Sequence, residues 1–150
     1  MRATLSLVAI VALVAPCFAS QSTLDPRLEP RAREYFASLV AGDFARVWEL
    51  TSPSVRDDTD YGRDAFIDRM TQMAAYDMSF SLKTGCSYES KGWIYLEMQI
   101  RQTKADVWET KYYEAQWVRV GDEWLIDSLT DIESLDGPLE YCNHPLPSPN

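Results

Sequence analysis

The chain has 150 residues, 46% of them hydrophobic, and carries 23 acidic side chains against 14 basic ones, a formal net charge of −9. That length suits one domain able to bury a real core, and the acidity argues against binding phosphate backbones or anionic lipid surfaces. The charges are spread along the chain rather than gathered in one tail, which describes a solvated surface; there is no basic patch and no repeat.

The opening segment is set apart from the rest. Met1-Arg2 is a short basic start, Leu5 to Ala15 is an apolar run, and Cys17-Phe18-Ala19 offers small residues at the two positions a signal peptidase reads. Residues 1–19 therefore read as a secretory signal, too short for a membrane span and cleaved before Ser20. Lipidation of Cys17 is the competing reading, but Pro16 stands where Gly, Ala or Ser would be expected. An exported protein, in a bacterial periplasm or outside the cell, is the expectation. Loss of Arg2 would carry the formal balance from −9 to −10 and leave two cysteines, Cys86 and Cys142, whose pairing an oxidising compartment favours. Two separate thiols are the alternative. The tail after Gly137 otherwise lacks an apolar anchor, which favours the disulfide.

Residues 20–30 carry two prolines and read as a lead-in, with Pro30 suited to the first turn of a helix. From Arg31 the apolar residues Ala32, Tyr35, Phe36, Leu39 and Val40 form a helical stripe that ends at Gly42. Asp43 is the expected N-cap of a second, short helix burying Phe44, Val47, Trp48 and Leu50, stopped by Thr51-Ser52-Pro53. Ser54 to Tyr61 reads as a polar loop. A third helix is predicted from Arg63 or Asp64 to Ala74, with Phe66, Ile67, Met70 and Met73 on one face and Asp64 as its cap.

After Asp77 the period becomes two. Met78, Phe80 and Leu82 alternate with polar residues, and Cys86 and Tyr88 keep the same parity. Lys91-Gly92 is the expected turn into a strand in which Ile94, Leu96, Met98 and Ile100 face the core while Tyr95, Glu97, Gln99 and Arg101 lie on a wetter face. Trp108 to Asp131 then reads as a β-hairpin about Gly121-Asp122, with Trp117, Val118 and Val120 in one arm and Trp124, Leu125 and Ile126 in the other. Residues 136–150 are a proline-rich tail. Three helices followed by about four long strands make an α+β architecture, a curved antiparallel sheet against N-terminal helices.

The helix leading into Ala41-Gly42-Asp43-Phe44, followed by Leu50-Thr51-Ser52-Pro53-Ser54, resembles the opening of nuclear transport factor 2-like domains. Val120-Gly121-Asp122-Glu123-Trp124-Leu125-Ile126 is similar to the last hairpin of that superfamily. The resemblance covers about Arg31 to Glu133, within a domain expected over residues 31–135. It implies a cone with a pocket between curved sheet and helices, in a group that spans isomerases, dehydratases, polyketide cyclases and protein-binding modules, so fold alone does not settle activity.

Chemistry-bearing residues are sparse. The lone histidine, His144, lies in the tail, which leaves a Ser-His-Asp or Cys-His arrangement without a base. No catalytic residue is singled out. An Asp–Tyr pair remains as the alternative, an isomerase or lyase using Asp127 with one of Tyr35, Tyr95, Tyr112 and Tyr113. One histidine is too few for zinc. Asp58, Asp60, Asp64 and Asp68 suggest calcium, but Gly62 and Arg69 stand where that loop needs oxygen ligands. There is no glycine-rich phosphate loop, so neither a cofactor nor a metal is expected. Aromatic content is the positive signal. Tyr35, Trp93, Tyr95, Trp108, Tyr112 and Tyr113 are the candidate contacts for a small apolar ligand or a partner protein, and the sheet face is a possible homodimer surface. An exported domain that binds without catalysing is the leading expectation.

Overall fold

A computed structural model describes residues 23–58, 62–137, 142 and 144–146. The signal segment 1–19 with Cys17, and Asp60 and Tyr61 of the expected polar loop, lie outside the described residues. Four helices, α1 (Leu28–Ala41), α2 (Phe44–Glu49), α3 (Pro53–Asp58) and α4 (Gly62–Thr71), are followed by a 3-10 turn, Gln72–Ala75. Five strands come next, β1 (Tyr76–Tyr88), β2 (Lys91–Gln102), β3 (Glu109–Val120), β4 (Glu123–Ile132) and the two-residue β5 (His144–Pro145), in the sheet order β4-β3-β2-β1-β5. Every pairing is antiparallel. The architecture is α+β, with helices packed on one face of a curved sheet.

α1 begins at Leu28, three residues earlier than its apolar stripe suggests, because Asp25 supplies a carbonyl to Leu28 N and a carboxylate to Arg27 N, each 2.9 Å away. Pro30 still falls in the first turn, where its missing N–H costs nothing. The helix ends at Gly42, whose φ of 75° is the left-handed conformation glycine adopts most cheaply. Asp43 caps α2, its side chain accepting from Arg46 N at 3.1 Å. The expected polar loop from Ser54 is instead α3. Ser52 is its N-cap, accepting from Val55 N, and Pro53 fills the first helical position. Asp64 is not a cap. α4 starts two residues before it, leaving Asp64 exposed in the first turn.

The core lies between α1 and the concave side of the sheet. Leu28, Ala32, Tyr35, Phe36 and Leu39 meet Leu82, Ile94, Leu96, Met98, Ala115, Trp117, Trp124 and Ile126. Edge-on ring contacts of Tyr35 with Phe36 and Trp117 fix the middle of that layer. Gly121, at φ 62°, turns β3 into β4 as expected. The β1–β2 turn is Glu89-Ser90, however, and Gly92 is already in β2. It is needed there for packing. A Cβ on Gly92 would run into Leu28 Cδ2 and lie 3.3 Å from Trp124 Cζ3.

Two register shifts rearrange the faces. Between Leu82 and Thr84 an extra residue enters β1, so Leu82 opposes Leu96 but Cys86 opposes Trp93 on the other face. The uniform parity expected along β1 therefore fails at Lys83. The second shift falls between Gln116 and Trp117 and leaves Asp127 as the extra residue of β4. The cysteine pair lies on the convex side. Cys86 and Cys142 are bonded, with Cα atoms 5.2 Å apart. Thr84 Oγ1 donates to the carbonyls of Cys142 and His144, and β5 pairs with Thr84 and Gly85. The tail also has an apolar anchor that the sequence did not reveal, since Leu146 is buried in the core. Tyr95 is only 1% exposed despite its place on the convex face, and its hydroxyl donates to Glu114 at 2.8 Å.

Candidate functional site

Two places on the concave side could receive a ligand. The first is a small pocket of about 100 Å³ beneath α1 and α3, lined by Tyr35, Thr51, Val55, Phe66 and the β4 residues 126–129. The chain delivers these groups through one local device. Leu50-Thr51-Ser52 runs beside β4, with Ser52 N donating to Ile126 O and Ile126 N to Leu50 O. That segment covers the outer edge of β4 and brings the α3 N-cap over the bulge. Asp127 Oδ1 then accepts from Ser52 Oγ at 2.7 Å and from Ser54 Oγ at 2.6 Å. Those two hydroxyls, Ser52 first, hold the Asp127 carboxyl below its ordinary pKa. The Tyr35 phenol is pushed the other way, up to about 12, by burial. The pocket thus contains an ionised carboxylate and a neutral phenol, with little free volume.

The second place is the mouth of the cone, at the end of the sheet where β2 turns into β3. A cavity of about 550 Å³ opens there, bordered by Met73, Tyr76, Ile100, Val107, Glu109 and Lys111. On the far side of Met73 and Tyr76 a smaller hollow of about 200 Å³ reaches Val40, Phe44 and Met78. Val107 is 72% exposed, and Tyr76 and Trp108 are each 43% exposed. Arg101 is held over the Trp108 ring, 4.5 Å from its centroid, and bonds Asp77 Oδ2 at 2.7 Å. Arg101 thus fixes the Trp108 ring beside an apolar rim, Tyr76 and Val107, that stays in water.

The six aromatic residues singled out from sequence are not gathered at one site. Tyr35 lines the small pocket, and Trp108 packs under Arg101 beside the mouth cavity without lining it. Tyr113 faces the concave side opposite Leu96, packed on the core, and burial followed by Asp131 raises its pKa. Trp93, Tyr95 and Tyr112 share the convex face. That face is largely a polar ladder in which Gln99 donates to Glu97 and Thr110, and Gln116 to Glu114. Sequence reasoning missed Met73, Tyr76, Val107 and Lys111. Tyr76 opens its strand and Val107 sits in an irregular segment, so neither belongs to a periodic pattern.

No protein-family model and no curated sequence matches the chain. Solved structures do. A SEC-C motif-containing protein from Rhodopseudomonas palustris superposes with a TM-score of 0.58 at 18% identity, over 70% of this chain and 78% of that one. A designed nuclear transport factor 2 protein gives 0.56 at 19% identity, over 70% and 96%. The fold is that of the nuclear transport factor 2-like superfamily. A candidate dehydratase of the nuclear transport factor 2-like family from Streptomyces avermitilis also matches, with a TM-score of 0.54 at 14% identity over 72% and 95%. At these identities the likeness carries the nuclear transport factor 2-like cone and no chemistry. Among the described residues no group of three or more His, Cys, Asp or Glu could hold a metal ion, and no helix is long and apolar enough to cross a membrane.

Proposed function

We propose that this is an exported domain that binds a small apolar ligand or a partner protein at the mouth of the cone and does not catalyse. One observation carries the reading: Val40, Tyr76 and Val107 are exposed around two adjoining hollows, with the exposed Trp108 ring packed under Arg101 beside the larger one. Exposed apolar surface gathered about a concavity is the usual mark of a binding site. The small pocket with Tyr35 and Asp127 is the weaker candidate. It holds about 100 Å³, well under the few hundred a drug-sized ligand needs. Its carboxylate already accepts from two serines, and a base with a lowered pKa abstracts protons poorly near neutrality.

Titration with the dye 1-anilinonaphthalene-8-sulfonate tests this. The wild type should enhance its fluorescence, a Val107→Ser/Trp108→Ala variant should lose most of that enhancement, and Asp127→Asn should keep it. Enhancement that survives the double substitution would count against the mouth.

A second reading is favoured by the shared position of Tyr35 and Asp127 in one pocket. It is an isomerase or lyase in which Asp127 takes a proton and the Tyr35 phenol stabilises the enolate. Turnover of a β,γ-unsaturated ketone that disappears in both Asp127→Asn and Tyr35→Phe would establish it and overturn the non-catalytic proposal.

A further inference from the structure

We infer that the ligand class of the mouth is an apolar monocarboxylate, with its carboxylate on Lys111 Nζ and its hydrocarbon against Met73, Tyr76, Ile100 and Val107, an inference that rests on the mouth being the binding surface. Lys111 pairs with Met98 in the β2–β3 ladder, so it projects to the concave side, and it lines the 550 Å³ cavity. It is half-buried, and among the described residues it has no ion-pair or hydrogen-bond partner. Lys91 and Lys104 likewise have no such partner among the described residues but are exposed, which leaves Lys111 as the half-buried lysine without an acceptor. Arg101 beside it is held by Asp77, Lys83 by Glu97, and Arg46 by Glu34 and Glu49.

The charge of Lys111 restricts what can fill the cavity. Any ligand lying against Met73, Tyr76 and Ile100 strips water from the ammonium. A neutral ligand would leave it desolvated and unpaired, which is the costly arrangement for a charge. An anionic head restores a partner and adds a charge-assisted hydrogen bond. Glu109 also lines the cavity, opposite Ile100 and two residues nearer the β2–β3 loop. Its side chain is exposed, so water screens it. A single carboxylate carried past that rim meets Lys111, while the chain behind it stays among the apolar rim residues.

The test compares decanoate with decanol, below their aggregation concentrations, by calorimetry on the full chain. Decanoate should bind about tenfold tighter, the factor expected of one charge-assisted hydrogen bond. The preference should vanish in Lys111→Met and persist in Lys111→Arg, with the thermal midpoint of each variant close to that of wild type. On a protein of net charge −9, non-specific adsorption would favour the alcohol, so a preference for decanoate points to a local cation. A preference that survives Lys111→Met, or is missing from the wild type, overturns the inference. If decanol binds equally well and is lost on Val107→Ser, the mouth stands as the binding surface and the carboxylate falls. If neither probe binds, both fall.

Discussion

Removing the Cys86–Cys142 cross-link should cost more than any single contact in the fold. The bond joins residues 56 apart in sequence, and the loop-closure estimate for a loop of that size is about 4 kcal/mol at 25 °C. The released segment has other attachments: the Thr84 hydroxyl on two carbonyls, Leu146 N on Lys83 O at 3.1 Å, and the buried Leu146 side chain. These hold the tail only when it is already in place, so they do not replace the lost constraint on the unfolded chain. Alanine is the better substitution at both positions, because serine would bury a hydroxyl where Cys142 is inaccessible to water. With a urea m-value of about 2 kcal/mol/M, the Cys86→Ala/Cys142→Ala variant should unfold at a midpoint about 2 M lower than the oxidised protein. Wild type reduced by a thiol should fall by a similar amount. The Leu146 amide should lose hydrogen-exchange protection in both. A loss below about 1 kcal/mol with that amide still protected would refute the reasoning, since the tail would then be held by its own contacts.

Gly92→Ala should destabilise by about 1–3 kcal/mol, read by urea unfolding, because the new methyl group meets Leu28 in a fully buried layer; an unchanged midpoint would mean that Leu28 can move aside. Asp127→Ala should cost about 1–3 kcal/mol, since it removes the acceptor of Ser52 and Ser54 that docks α3 on β4, and Asp127→Asn should cost less because the amide oxygen still accepts. Asp25 has its pKa lowered to about 2, chiefly by its side-chain hydrogen bonds from Arg27. A lowered folded pKa means a contribution fully present above the unfolded value of about 3.9 and lost as pH falls toward 2. The pair is solvent-accessible, so Asp25→Asn should remove about 0.2–1 kcal/mol at pH 7 and less at pH 2.5. A cost that does not shrink on acidification would assign Asp25 a role through geometry alone.

Most of the architecture was legible because it rests on patterns that repeat. The apolar stripe of α1 and the alternation from Ile94 to Ile100 each sample one period several times, and both lie against the core as expected except for Val40, which is exposed at the end of α1. The Asp43 cap and the Gly121 turn are single residues, but the chemistry of each is tied to one backbone conformation. What failed involved single events with no repeat behind them. Glycine marks both turns and close approaches, and Gly92 serves the second purpose under Leu28. α3 is only six residues long and polar, so nothing periodic separates it from a loop. The buried Leu146 is one apolar residue among prolines.

The candidate site was harder to see for a related reason. An inserted residue in a strand leaves no mark on composition, yet it moves every later side chain to the opposite face. The insertion at Lys83 carries Cys86 to the convex side, where the disulfide then lies. The insertion at Asp127 turns that carboxylate toward the α3 cap, where two serines engage it. Once Asp127 is engaged in this way, the small pocket loses its readiest base, while Lys111 beside the larger cavity keeps a charge without a partner among the described residues. That allocation depends on register, and register is fixed only when the whole sheet is assembled.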